Sequence, residues 1–99
     1  MSYKNQSCIT INFYHLTCYS YENIELFYDD IEINLCKGFG RNLEALSDLF
    51  HGNCGVLKGS TSTNLYHIHI QKSKLLDESI KQLLQQCNKE NKFIKIFFE

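Results

Sequence analysis

Two histidines on a predicted strand suggest metal chemistry. His67 and His69 are separated by one residue, so their side chains would share one face of a strand, where two imidazoles can bind zinc. Cys54 and His51 are the nearest further candidates. The spacing supplies no third or fourth ligand of the kind that a zinc site requires, so we expect no metal and interpret the pair as polar residues on a half-exposed strand.

Cysteine and glycine are the other residue types that could support catalysis. Any of the five cysteines could pair with a histidine as nucleophile and base, but nothing in the sequence gives a cysteine the electropositive surroundings that activate a thiol. Gly38 and Gly40 precede a predicted helix, as glycines do in phosphate-binding loops, but a third glycine and a preceding strand are missing. We interpret this stretch as a turn and expect no cofactor.

The sharpest feature is a charged face on a short helix predicted from about Asn42 to Phe50. Its residues lie about one turn apart and are Arg41, Glu44, Asp48 and His51, with Ser47 beside them. Most such faces are simply solvated. This helix is short and follows a glycine-rich turn, so the scaffold would display it, which favours a role in binding.

Charge is unevenly distributed along the chain. Residues 1–50 contain seven acidic and three basic residues, a net charge of −4, whereas residues 51–99 contain four acidic and seven basic residues, a net charge of +3. The acidic half, which includes the short helix, predicts attraction to a basic partner. The scattered lysines of the second half do not form the basic stripe with interleaved aromatic residues that nucleic acid requires, so we expect no nucleic-acid ligand.

The cysteines and the N-terminal residues bear on the cellular compartment. An odd number of cysteines without CxxC spacing argues against a secreted disulfide scaffold and favours reduced thiols. No apolar run is long enough for a signal peptide or a membrane span. We therefore expect a cytoplasmic protein that binds no membrane, and a length of 99 residues favours a single domain over 1–99.

Two sequence periods predict the elements that would position these residues. Alternation of apolar and polar residues predicts strands at 8–16, 65–70 and 93–99. Helical spacing predicts helices at 24–35, after a Ser20 cap, at 42–50, and over a stripe from Ile80 to Cys87, after an Asp77 cap. Residues 52–64 are rich in Gly, Ser and Thr and are predicted as a loop. The order predicts an α/β fold with a three-stranded parallel sheet covered by helices.

The stretch from Phe39 to Gly52 resembles the core motif of the barstar family. It reads Phe-Gly-Arg-Asn-Leu-Glu-Ala-Leu-Ser-Asp-Leu-Phe-His-Gly, which is similar to the family's aromatic-Gly-x-Asn-Leu-Asp-Ala-Leu-x-Asp pattern closed by a glycine. Residues 78–98 resemble the family's last helix and strand, and the first strand and helix match in position and pattern. The resemblance covers nearly the whole chain and implies a barstar-like α/β fold, with a three-stranded parallel sheet packed against three or four helices.

The resemblance also implies a function, the tight inhibition of a ribonuclease by plugging its active site. In the family, two acids on the second helix replace substrate phosphates in the enzyme's cationic cleft, and they match Glu44 and Asp48 here. The implied partner is a basic ribonuclease toxin, encoded nearby and bound by one monomer in a 1:1 complex. The residues expected at the interface are Gly38, Phe39, Gly40, Asn42, Leu43, Glu44, Ser47, Asp48, His51, Gly52, Asn53 and Gln86.

Several positions depart from the family pattern. Glu44 is one methylene longer than the Asp of the motif. The founding member has aromatic residues at the positions of Gly38, Ser47 and Asn53 and an acid at the position of Gln86. These changes remove contacts that the founding member makes with its own enzyme, so we expect the mode of binding to persist with a different toxin.

Two other function classes stay open at this point. One is a small thiol- or metal-dependent hydrolase, whose candidate residues are Cys54, His51, His67 and His69. The other is a general protein-binding module with no toxin partner. A zinc content or a fast-reacting thiol would favour the enzyme, whereas a toxin gene directly upstream would favour the inhibitor.

Overall fold

The computed structural model describes residues 8–19 and 24–99 and has an α/β architecture. Within these ranges, strands and helices follow one another in the predicted order of strand, helix, helix, strand, helix, strand. Their bounds are β1 Thr10–Thr17, α1 Glu25–Asn34, α2 Leu43–Phe50, β2 Asn64–Gln71, α3 Glu78–Glu90 and β3 Ile94–Phe98, with short 3-10 helices at Gly55–Gly59 and Ser73–Leu75. Every helix in the described part of the chain is too short or too polar to cross a membrane.

The sheet is parallel, and its strands lie in the order β1, β2, β3. In the first pair Thr10 lies opposite Asn64, and in the second pair Tyr66 lies opposite Ile94. Parallel neighbours cannot be joined by a tight turn, so a helical crossover lies between each pair of strands. The prediction of a three-stranded parallel sheet is confirmed.

One face of the sheet packs against the helices and forms the core. On β2 the predicted alternation is confirmed, because Tyr66, Ile68 and Ile70 are buried while Leu65, His67 and His69 are half-buried. The apolar stripes of the helices meet this face. Their buried residues are Phe27, Tyr28 and Ile31 of α1, Leu46, Leu49 and Phe50 of α2, and Ile80, Leu84 and Cys87 of α3.

Side-chain caps fix where two of the helices begin. The Asn42 side chain accepts a hydrogen bond from the Ala45 amide at 2.7 Å and begins α2. Asp77 accepts from the Ser79 amide at 3.1 Å and begins α3, as predicted. Ser20, the predicted cap of the first helix, lies outside the described residues, and α1 begins after Ile24 without a side-chain cap.

The segment 52–64 is more ordered than its composition predicts. It contains the 3-10 helix Gly55–Gly59, whose Leu57 is fully buried. The Val56 amide donates to the Leu35 carbonyl at 2.8 Å, which ties the segment to the end of α1. Gly55 has φ +66°, and a Cβ there would lie 2.2 Å from the Leu35 oxygen, so only glycine permits this approach. The prediction that 52–64 is only a loop was therefore wrong, because the segment forms a 3-10 helix that buries Leu57.

Candidate functional site

Helix α2 is held firmly from beneath. Leu46, Leu49 and Phe50 are completely buried, and Phe39, just before the helix, packs edge-on against Tyr28 of α1 at 5.2 Å between ring centroids. Phe39 is 5% exposed, so its ring supports the helix from the core. Packing against Tyr28 hides most of its surface, and contact of Phe39 with a partner stays a prediction.

The outer side of α2 carries two carboxylates. Glu44 and Asp48 are exposed and lie one helical turn apart, where like charges repel. Within the described residues, neither carboxylate forms a hydrogen bond or an ion pair. Asp48 lies in the last turn, which contains no basic residue, and the partial negative charge at a helix C-terminus disfavours an acid there. Both carboxylates are therefore available to cations from outside, and Asp48 is held at an unfavourable position.

Arg41 does not share this face, contrary to the prediction. Its guanidinium points to α1 and forms ion pairs with Glu25 at 2.7 Å, Asp29 at 2.9 Å and Glu32 at 2.5 Å. The hydrogen bonds to these carboxylates raise the pKa of Arg41 further. Because the partners lie on another helix, spacing within α2 could not reveal them. Arg41 also offsets part of the negative charge of α1, so the acidic field of the first half is weaker than its composition suggests.

His51 also turns away from the face, towards α3. Its Nε2 lies 2.7 Å from Glu90 Oε1, and its Nδ1 lies 2.8 Å from the Ser47 carbonyl oxygen. The hydrogen bond to Glu90, followed by the one to Ser47, raises the pKa of His51. Gln86 donates to the other Glu90 oxygen at 2.8 Å. His51 and Gln86, both predicted at the interface, thus converge on Glu90 and link α2 to α3.

A groove of about 640 Å³ lies beside Asp48. It runs between the loop after α1, helix α2 and the start of the 3-10 helix, and most of its surface is apolar. Gly38 has φ +82° and has open space where a side chain would project. The lining residues are Leu35, Cys36, Lys37, Gly38, Phe39, Gly40, Ala45, Asp48, Cys54, Gly55 and Val56. The predicted turn residues and Asp48 are therefore brought together at one depression.

A smaller depression of about 430 Å³ lies at the end of α2. Two predicted residues, His51 and Gly52, line it together with Lys58, Ser60, Glu90, Asn91, Lys92 and Phe93. Asn53 is exposed, and its amide donates to the Asp48 carbonyl at 3.0 Å. Leu43 is 43% exposed at the other end of the helix, and Ser47 is half-buried. The predicted residues thus divide among the α2 surface, the groove and this depression.

The structure also forms a Cys–His–acid cluster that the sequence analysis missed. Cys87 Sγ lies 3.8 Å from His51 Nδ1, while His51 Nε2 faces Glu90. A carbonyl oxygen can only accept, so Nδ1 must donate to Ser47 and cannot take the thiol proton. Burial raises the pKa of Cys87 to about 11, and its side chain is 1% exposed. The cluster has the residue types of a nucleophilic site, but its thiol is not activated.

The residues of the hydrolase hypothesis do not converge. His67 packs between the rings of Phe13 and Phe97. His69 stacks on Phe97 at 4.6 Å between ring centroids, and its Nδ1 lies 2.6 Å from Glu99 Oε2. Burial, followed by a hydrogen bond with Cys36, raises the pKa of Cys54. Across residues 8–19 and 24–99, no three His, Cys, Asp or Glu side chains are grouped to hold a metal ion.

Comparison with known proteins does not identify a family. The chain matches no model of a known protein family, and no curated protein matches it at a significant level. The resemblance to the barstar motif therefore rests on the residues from Phe39 to Gly52 and on the C-terminal helix and strand.

Proposed function

We propose that the protein is an immunity protein of the barstar type, which blocks the active site of a basic ribonuclease toxin with Asp48 and Glu44. The observation that carries this proposal is a pair of exposed carboxylates that form no hydrogen bond or ion pair within residues 8–19 and 24–99, on a helix whose opposite side is completely buried. The protein would act as a monomer in a 1:1 complex. It would work in the cytoplasm, whose reducing conditions suit a protein with five free thiols.

The rigidity of α2 supports this mechanism. A carboxylate can replace a phosphate only if it is presented to the cleft without a large loss of conformational freedom. The Asn42 cap, the buried Leu46, Leu49 and Phe50, and the ring of Phe39 fix the backbone that carries both acids. Each carboxylate then needs to order only its own short side chain on binding.

Charge and shape also support it. The cations that hold RNA phosphates in a ribonuclease can form charge-assisted hydrogen bonds with Asp48 and Glu44. Asp48 lines the mostly apolar groove, so apolar side chains of the toxin that flank its cations can be buried in the groove beside Asp48. An interface with a central charged pair and adjacent apolar contact has the composition of a specific protein complex.

The test is inhibition of the toxin encoded directly upstream, with purified proteins and an RNA-cleavage assay. Asp48→Ala and Glu44→Ala should each weaken inhibition, while Glu78→Ala, an exposed acid in the first turn of α3, should leave it unchanged. Thermal unfolding of the three variants would check that each retains the fold. Unchanged inhibition by both α2 variants would refute the active-site plug, and binding without inhibition of cleavage would indicate a general binding module.

A further inference from the structure

Two cysteines distant in sequence are brought together at the groove. Cys36 follows α1, and Cys54 immediately precedes the 3-10 helix. The bond from the Val56 amide to the Leu35 carbonyl, at 2.8 Å, joins the two segments. A Cβ placed on Gly55 would lie 2.8 Å from the Cys36 Cβ. The backbone therefore holds Gly55, the residue after Cys54, close against Cys36.

The two thiols also lie at one groove. Both side chains line the groove beside Asp48 and are half-buried. A hydrogen bond between them contributes to the raised pKa of Cys54, after the larger effect of burial. Cys18 and Cys87 are buried elsewhere in the core, and Cys8 is exposed near the start of β1. Cys36 and Cys54 thus combine proximity with access from solvent.

We propose that Cys36 and Cys54 are a redox-active pair, a modification site at which a low-molecular-weight disulfide converts two thiols into one intramolecular disulfide. The Cys36 thiolate attacks the reagent, forms a mixed disulfide and releases one thiolate. The Cys54 sulfur then attacks the Cys36 sulfur and releases the second. The protein loses two electrons and two protons, and the reagent is reduced to two thiols, which take them up.

Burial, followed by the hydrogen bond with Cys36, raises the pKa of Cys54, and a raised pKa makes a thiol a poorer first nucleophile at neutral pH. In the second step Cys54 already lies beside the Cys36 sulfur that it attacks, so proximity compensates for its poorer nucleophilicity. The product ties the loop after α1 to the segment after α2. It would fix the width of the groove beside Asp48 and restrict the unfolded chain. The inference does not depend on the proposed function.

The experiment uses the folded Cys8→Ser protein, which lacks the exposed thiol, treated with oxidised glutathione at pH 8. The expected product has lost two hydrogen atoms, carries no glutathione and yields a peptide linking Cys36 to Cys54. Its melting temperature should rise by roughly 5–15 °C and return to the starting value with a thiol reductant.

The matched controls are two double variants, in which Cys36→Ser or Cys54→Ser is added to the Cys8→Ser protein. Each should stop at a stable glutathione adduct on the remaining thiol, without the rise in melting temperature. A stable adduct in the Cys8→Ser protein itself, a crosslink to Cys18 or Cys87, or no reaction at either thiol would overturn the proposal. Mass spectrometry requires no toxin, so these outcomes are distinct from failure of the inhibitor function.

Discussion

Replacement of Asp48 by asparagine should separate function from stability. The change keeps the shape of the side chain and removes one charge. Asp48 lies in the last turn of α2 and one turn from Glu44. Its charge therefore destabilises the helix by about 0.3–1 kcal/mol through the helix dipole and by about 0.2–0.5 kcal/mol through repulsion from Glu44. When His51 is protonated, its attraction to Asp48 offsets part of this cost, since Asp48 contributes, after Glu90 and Ser47, to the raised pKa of His51. We expect Asp48→Asn to be more stable than the wild type by about 0.5 kcal/mol.

Binding should change in the opposite direction. A carboxylate desolvated against cations typically contributes about 2–5 kcal/mol when one partner is truncated, so Asp48→Asn should weaken toxin binding by roughly 30- to 4,000-fold. Urea unfolding measures the first effect, and calorimetric titration with catalytically inactive toxin measures the second. Glu78→Gln is the matched control, because an acid in the first turn of a helix is favourable; this variant should be slightly less stable and bind normally.

Two results would refute this reasoning. If Asp48→Asn destabilises the protein by more than about 1 kcal/mol, the carboxylate has a structural partner and is not displayed for binding. If stability rises as expected while toxin affinity is unchanged, Asp48 is displayed but is not the group that the toxin recognises.

Three further predictions follow from contacts between elements. Glu90→Gln should be less stable than the wild type at pH 5.5, and the two proteins should have the same stability at pH 9. Folding raises the pKa of His51, so the ion pair with Glu90 stabilises the fold fully below the unfolded pKa of the histidine, near 6.5. This stabilisation is lost as the pH rises through the pKa of His51 in the folded protein. Equal differences at both pH values would contradict this. Gly55→Ala should lower the free energy of unfolding in urea by about 2–4 kcal/mol, because Gly55 has a positive φ and its added Cβ would meet backbone. Gly38→Ala should lower it by about 1 kcal/mol, because Gly38 has a positive φ but open space around it. Similar losses in the two variants would show that the backbone contact at Gly55 is unimportant. Arg41→Met should lower the melting temperature at low ionic strength. The difference from the wild type should narrow at 1 M salt, where repulsion among the acids left on α1 is screened. A difference that does not depend on salt would assign the effect to packing of Arg41 over the Tyr28 ring.

The order of the elements could be predicted from the sequence because each depends on contacts within the element. Alternation along β2 follows from the pleat of a strand, and the cap at Asp77 depends on the amide of Ser79, two residues away. The exposure of Glu44 and Asp48 also followed from helical spacing, since the residues that bury α2 lie on its other side. These features require no knowledge of distant neighbours.

Features that depend on distant neighbours were decided only by the tertiary structure. Arg41 and His51 left the predicted face because their partners, Glu32 and Glu90, lie on other helices. Their long-range attractions outweigh the position that helical spacing gives them, and a sequence period carries no information about such partners. The groove beside Asp48 likewise exists because residues after α1 and residues after α2 are held together by the bond from Val56 to Leu35. Local periodicity therefore determined which carboxylates face solvent, and packing between elements determined what surrounds them.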